Sequence, residues 1–267
     1  MNSRLLPVFV LVACGTLAAA RSPQAPEASL PSLTRSSHII FIGRVAKLRA
    51  TNLKVVEPTE TTALVTIEEL LDSPPSLVGL KGEDVTVDLL RAGEVQPEQR
   101  AVFFTNGILF GEHLEVKEVG LLPVPADIAK LRADIAAFRA QIGDETLKQR
   151  LVSTVLVVTG KVLETRPLKR TTRASEHEPD WAEAIIAVEK VEKVEKGAFR
   201  GGKVTVYFPR STDERWLLSP KFRPGQQGIW ILHRESRFGL PGPVLTALDP
   251  SDYHPLTEQP RIQKLLH

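Results

Sequence analysis

A mainly β fold, with two small β-barrels in tandem and a short α-helix after each, is what this 267-residue sequence predicts. Three observations predict it. Four blocks of sequence recur in the same order, each block reads as a strand, and a segment of helical period follows each set.

The recurrence comes first. Ile39-Ile40-Phe41-Ile42-Gly43-Arg44-Val45 matches Leu156-Val157-Val158-Thr159-Gly160-Lys161-Val162, and Ala63 to Leu70 matches Ala184 to Val191. Lys81-Gly82-Glu83-Asp84-Val85-Thr86-Val87 matches Arg200-Gly201-Gly202-Lys203-Val204-Thr205-Val206, and Pro97 to Phe104 matches Pro224 to Ile231. Differences in length fall in the loops. The blocks are short, β-branched or aromatic, and bounded by Gly or Pro, which is strand composition. Gly43 and Gly160 lie inside the first strand of each copy, where a missing side chain suits a bulge or a sharp bend. The segment after Val191 is expected to leave the strand as a turn or short helix.

Between the copies, Ile128, Leu131, Ile135 and Phe138 fall at helical spacing behind Asp127, a residue suited to an N-cap. A second helical pattern runs from Asp144 to Val152, and Pro260 to His267 echoes the first with Ile262, Leu265 and Leu266 as its apolar face.

The first residues read as an address. A short basic start and the apolar run Leu5 to Ala13 fit a signal peptide and fall short of the roughly 20 residues of a membrane-spanning helix. Leu11-Val12-Ala13-Cys14 has the form of a lipobox, which makes Cys14 the lipid-attachment residue. Ala18-Ala19-Ala20 offers an ordinary cleavage site, which releases a chain beginning at Arg21. The expected organisation is therefore a signal at 1–20 and a flexible tether at 21–33. A first barrel follows at 34–123, a helical linker at 124–150, a second barrel at 151–250 and a C-terminal helix at 251–267. Export leads to an outer-membrane, lipid-anchored or periplasmic protein, or in the alternative to a secreted soluble one.

Composition sets bounds. Cys14 is the only cysteine, so no intrachain disulfide can form. The formal net charge is +2, which argues against nucleic acid as a partner. The charge is unevenly divided, with about four more acids than bases in 34–123 and about six more bases than acids in 148–250.

The ordered strands, the glycine in strand one and the Lys-Gly…Val-Thr-Val turn resemble an OB-type barrel. More narrowly, Gly43-Arg44-Val45, the Ile67-Glu68 strand, Lys81-Gly82 and Pro224-Gly225-Gln226 resemble the netrin-like module, whose barrel is shared with tissue inhibitors of metalloproteinases. The resemblance spans residues 34 to 250, once per copy, and implies the fold. Inhibitors of that family chelate the protease zinc through a disulfide-held N-terminal cysteine. Cys14 has no partner for a disulfide and lies well before the first strand, so the inhibitor mechanism does not carry over.

The most distinctive local feature is the loop from Arg166 to Trp181. Arg166, Lys169, Arg170 and Arg173 form a basic cluster able to grip phosphate or carboxylate groups, with Trp181 as a platform. The plainer reading is a solvated loop whose basic and acidic halves pair loosely. Glu176, His177, Glu178 and Asp180 carry ligand-type side chains, yet a Pro-containing loop lacks the rigid support a metal needs, so no metal and no cofactor is expected. Trp230 and Phe103 match across the repeat and read as core, whereas Trp216 sits in a connecting segment and reads as exposed. No G-x-S-x-G, H-E-x-x-H or phosphate-loop signature occurs, so no catalytic residue is nominated.

The expectation is a non-catalytic exported binding or structural module of the cell envelope. Its partner is expected to be a protein or an anionic envelope component, with no nucleic acid, and with membrane contact only through a lipid on Cys14. Two alternatives are a modulator or inhibitor of an extracellular hydrolase and an enzyme with an unrecognised interdomain site.

Overall fold

The computed structural model describes residues 29–110, 113–168, 179–197, 199–213, 215–236 and 244–267. Cys14, the leader and the loop residues Lys169, Arg170 and Arg173 lie outside the described residues.

The chain divides between Ile135 and Ala136 into two units. In the first, β1 (Ile39–Leu48), β2 (Thr62–Asp72), β3 (Asp84–Asp88), β4 (Arg100–Phe110) and β5 (His113–Leu122) close a barrel in the order β1-β2-β3-β5-β4. The second is built from β6 (Leu156–Pro167), β7 (Trp181–Val194), β8 (Lys203–Pro209), β9 (Gln227–Glu235) and β10 (Val244–Thr246). These run β10-β8-β7-β6-β9, and β10 also pairs with β9, so the same five-stranded ring closes. One parallel pair completes each ring, β3 with β5 and β8 with β10. This is the OB-type order in both copies. A short β11 (Tyr253–His254) adds to β9.

The duplication extends to irregularities. β1 slips register against β2 between Ile40 and Phe41, between Ile42 and Gly43, and between Val45 and Lys47. β6 slips against β7 at the matching places, after Val157, after Thr159 and after Val162. Bulges of this kind bend a strand sharply enough to serve two sides of a small barrel. The turns repeat as well: Gly82 and Gly201 both have positive φ before strand three, and Glu98 and Gly225 both have it before strand four.

The first half of the first strand in each copy is mostly apolar and buried because both its faces are covered. Ile39 and Phe41 point into the first barrel with Val65, Val87, Phe103 and Val116, and Phe41 stacks on Phe103 at 5.2 Å. Ile40 and Ile42 face outward and pack against helices α1 (Leu30–Ser36) and α2 (Ile128–Ser153) through Leu33, Leu131 and Ile135. In the second unit Leu156, Val158 and Trp230 fill the interior. Val157, Ile229 and Ile231 face Leu147 and Leu151 of α2 and Ile262 of α3 (Gln259–Leu266). Trp230 and Phe103 are thus both core residues, each fully buried.

Three local expectations are corrected. The two helical patterns between the copies are one helix, α2, opened by Asp127, whose carboxylate accepts from the Lys130 N–H at 2.8 Å. Gly143 does not interrupt it, since one interior glycine costs only about 1 kcal/mol. Strand β7 continues past Val191 to Val194 and leaves the sheet only afterwards. Finally, α1 begins at Leu30, inside the stretch read as a tether, with Ser29 as its cap and Leu33 buried. Among the described residues no helix is long and apolar enough to cross a membrane.

Candidate functional site

The second barrel carries a pocket of about 370 Å³ at one end, lined by Thr165, Arg166, Pro167, Ala182, Phe208, Arg210, Lys221 and Phe222. It forms where the end of β6, the start of β7, the end of β8 and the connection 210–226 meet. Its floor is apolar. Ala182, Phe208 and Phe222 are buried, and the two phenylalanine rings lie 4.8 Å apart as the last layer of the barrel interior.

Its rim is basic. Arg166 stands on β6 and pairs with Glu164 at 2.7 Å, and its other guanidinium nitrogen lies 4.0 Å from Glu183 on β7. The Glu164 carboxylate holds it firmly in the charged form. Arg210 follows β8; its N–H donates to the Asp180 carbonyl at 2.7 Å, and its side chain is exposed. Lys221 is the best fixed of the three. Its Nζ donates to the Pro209 and Trp216 carbonyls at 2.7 and 2.8 Å, which fixes the ammonium at the pocket wall with one N–H left over. Burial pulls its pKa below the ordinary lysine value, with Asp213 opposing. Two arginines and a desolvated lysine above an apolar floor form a seat for an anionic group with an apolar body.

Of the residues nominated from sequence, Arg166 lies in this pocket. Trp181 does not. It is 2% exposed and packs against Trp216 with ring centroids 6.0 Å apart, so it supports the rim from behind instead of offering a face. Trp216, read as exposed, is 4% exposed. Arg210 and Lys221 were not found from sequence because barrel closure brings them to Arg166 across some fifty residues of chain.

The first barrel lacks this arrangement. Its loop after strand one folds down onto β3: the Asn52 amide donates to the Asp84 carbonyl at 2.6 Å, Asn52 accepts from Thr86, and Leu53 is buried. Where Lys221 stands before Phe222, the first copy has Glu94 before Val95.

A second polar cluster lies elsewhere on the second unit, around Arg150, His233, Asp249 and Asp252. Buried Asp252 accepts from Arg150 Nε at 2.9 Å and from the N–H groups of Leu248 and Asp249. These bonds fasten the tail to the end of α2, and the cluster reads as structural. Among the described residues no group of three or more His, Cys, Asp or Glu is placed to hold a metal ion.

No family model matches the chain, and no curated protein matches it. Among solved structures, the chain matches a single-stranded DNA binding protein from Thermus aquaticus at 12% identity, over 79% of this chain and 89% of that one, with a TM-score of 0.17. That match corrects the partner expectation, in which a protein or an anionic envelope component was favoured and nucleic acid excluded. The net charge of +2 averages an acidic first copy with a basic second one, so by itself it does not exclude nucleic acid. A likeness this slight names no ligand in place of the expectation it removes.

Proposed function

We propose that this chain is an exported, non-catalytic binding module of netrin-like design, tethered through a lipid on Cys14, whose second barrel seats an anionic group. The observation that carries the reading is the convergence of Arg166, Arg210 and Lys221 over the Phe208–Phe222 floor. The chemistry recognised is a phosphate or carboxylate, held by charge-assisted hydrogen bonds from the guanidinium groups and the free N–H of Lys221. The first barrel, which has Glu94 where the second has Lys221, then serves as a scaffold.

The test is a calorimetric titration of the protein with inorganic phosphate and with benzoate, repeated on Lys221→Glu, which installs the residue of the first copy. Binding that Lys221→Glu weakens at least about tenfold supports the reading. Equal binding by the two proteins, or none by either, refutes it.

A further inference from the structure

The connection 210–226 is longer than its counterpart 89–99 in the first copy, and the added length forms a tip. That tip is tightly held. The Trp216 N–H donates to the Asp213 carbonyl at 3.0 Å, the Ser219 N–H to the Trp216 carbonyl at 3.1 Å, and the Ser219 hydroxyl to the Leu248 carbonyl at 2.6 Å. Lys221 clamps the same Trp216 carbonyl. Trp216 and Ser219 are buried, while the two residues between them, Leu217 and Leu218, are 57% and 73% exposed.

A turn fixed by its own hydrogen bonds cannot collapse to hide its leucines, so two adjacent large apolar side chains are presented to the outside by construction. In sequence, the segment 210–223 that holds them carries the bases Arg210, Arg215, Lys221 and Arg223 against the acids Asp213 and Glu214. The Arg215 guanidinium lies 5.0 Å from the centre of the Trp216 ring, next to the tip. Two exposed leucines in a segment with more bases than acids match an anionic lipid bilayer, where the leucines enter the acyl boundary and the cations meet headgroup phosphates.

We propose that the Leu217–Leu218 tip inserts into anionic lipid bilayers, a contact made by the barrel itself and separate from any tether at Cys14. Leu217 and Leu218 supply the inserted surface, and Arg210, Arg215 and Arg223 supply the preference for anionic headgroups.

All three tryptophans, Trp181, Trp216 and Trp230, lie in the second unit, and Trp216 adjoins the tip. The full chain is therefore mixed with vesicles of brominated phosphatidylglycerol and, separately, brominated phosphatidylcholine, and its tryptophan emission is followed. The expected result is quenching by the anionic vesicles, weak quenching by the zwitterionic ones, and a loss of about tenfold in apparent affinity for the Leu217→Ser, Leu218→Ser double variant. Both leucines are exposed, so an unchanged thermal midpoint confirms that the variant is folded. Vesicle binding without tryptophan quenching, as attachment by the N-terminal segment alone would give, overturns the proposal. Equal quenching of variant and parent, or equal quenching by both lipids, does so too. Soluble phosphate and benzoate report on the pocket and not on the leucines, so failure here is distinguishable from failure of the anion-binding reading.

Discussion

Gly160 lies so close to Ala187 across the β6–β7 pair that a Cβ added to it would stand 2.1 Å from the Ala187 carbonyl oxygen. Its counterpart Gly43 is crowded differently, by the Val65 side chain at 2.5 Å and the Phe41 ring at 2.9 Å. Both glycines sit at a register shift in the first strand of their barrel, where the strand bends. Backbone cannot step aside as a methyl group can. Gly160→Ala is expected to destabilise the second unit by more than ~3 kcal/mol, and Gly43→Ala to cost the first about 1–3 kcal/mol. Urea unfolding of the two variants, followed by tryptophan emission for the second unit and hydrogen exchange for the first, checks the order.

The turn before strand four shows what the duplication left unequal. The Glu98 N–H donates to the Val45 carbonyl and the Gly225 N–H to the Val162 carbonyl, both at 2.8 Å, so the two turns are the same device. Yet Glu98 has φ 64°, a region that suits glycine, and the second copy has glycine there. The Arg44–Glu98 pair, at 3.5 Å and largely exposed, is worth little. Glu98→Gly is expected to stabilise the first unit by up to about 1 kcal/mol, read as a rise in its urea midpoint.

Glu118 is a pH-sensitive point in the first barrel. It is 2% exposed; its Oε2 accepts from the Leu90 N–H at 3.1 Å, and its Oε1 has no hydrogen-bond partner among the described residues. Burial raises its pKa from 4.5 to about 7, helped by Glu94 and Asp88 and opposed by the Leu90 N–H and Arg91. Because the unfolded chain gives up this proton first, the stability Glu118 lends is complete below pH 4.5 and drains away as pH rises through about 7. The loss amounts to ~3 kcal/mol at most. Glu118→Gln, neutral throughout, is expected to remove the difference between unfolding midpoints at pH 5 and pH 8 that belongs to this site. An unchanged difference would show that the carboxyl is solvated.

The intact mass of the mature protein from its native host separates the two N-terminal readings. A mass that begins at Cys14 with added acyl chains is expected. A mass that begins at Arg21 would make the protein a soluble one and remove Cys14 from its functional residues.

The barrels were legible in the sequence because their strands carry strong local signals: β-branched runs, glycine turns, and a repeat that let each copy vouch for the other. Helix α1 was not. Seven residues in a Ser- and Pro-rich stretch are too few to hold a helix by themselves, and α1 exists because Leu33 is buried against β1 and β4. The pocket was half legible. Arg166 stood out in a basic loop, but Arg210 and Lys221 join it only through ring closure, and Lys221 owes its orientation to two carbonyls that no local pattern announces. Trp181 misled, because an aromatic residue at the edge of a polar loop looks the same in sequence whether it faces outward or, as here, packs on Trp216.

The central claim is that the second barrel alone seats an anion, at Arg166, Arg210 and Lys221. Amide chemical shifts of the isotopically labelled protein, recorded during a titration with inorganic phosphate, test it most directly. Saturable shifts at residues 165, 166, 208, 210, 221 and 222, with none at the matching positions 48, 49, 89, 91, 94 and 95, are the predicted result. Shifts of equal size in both copies, or none in the second, would contradict it.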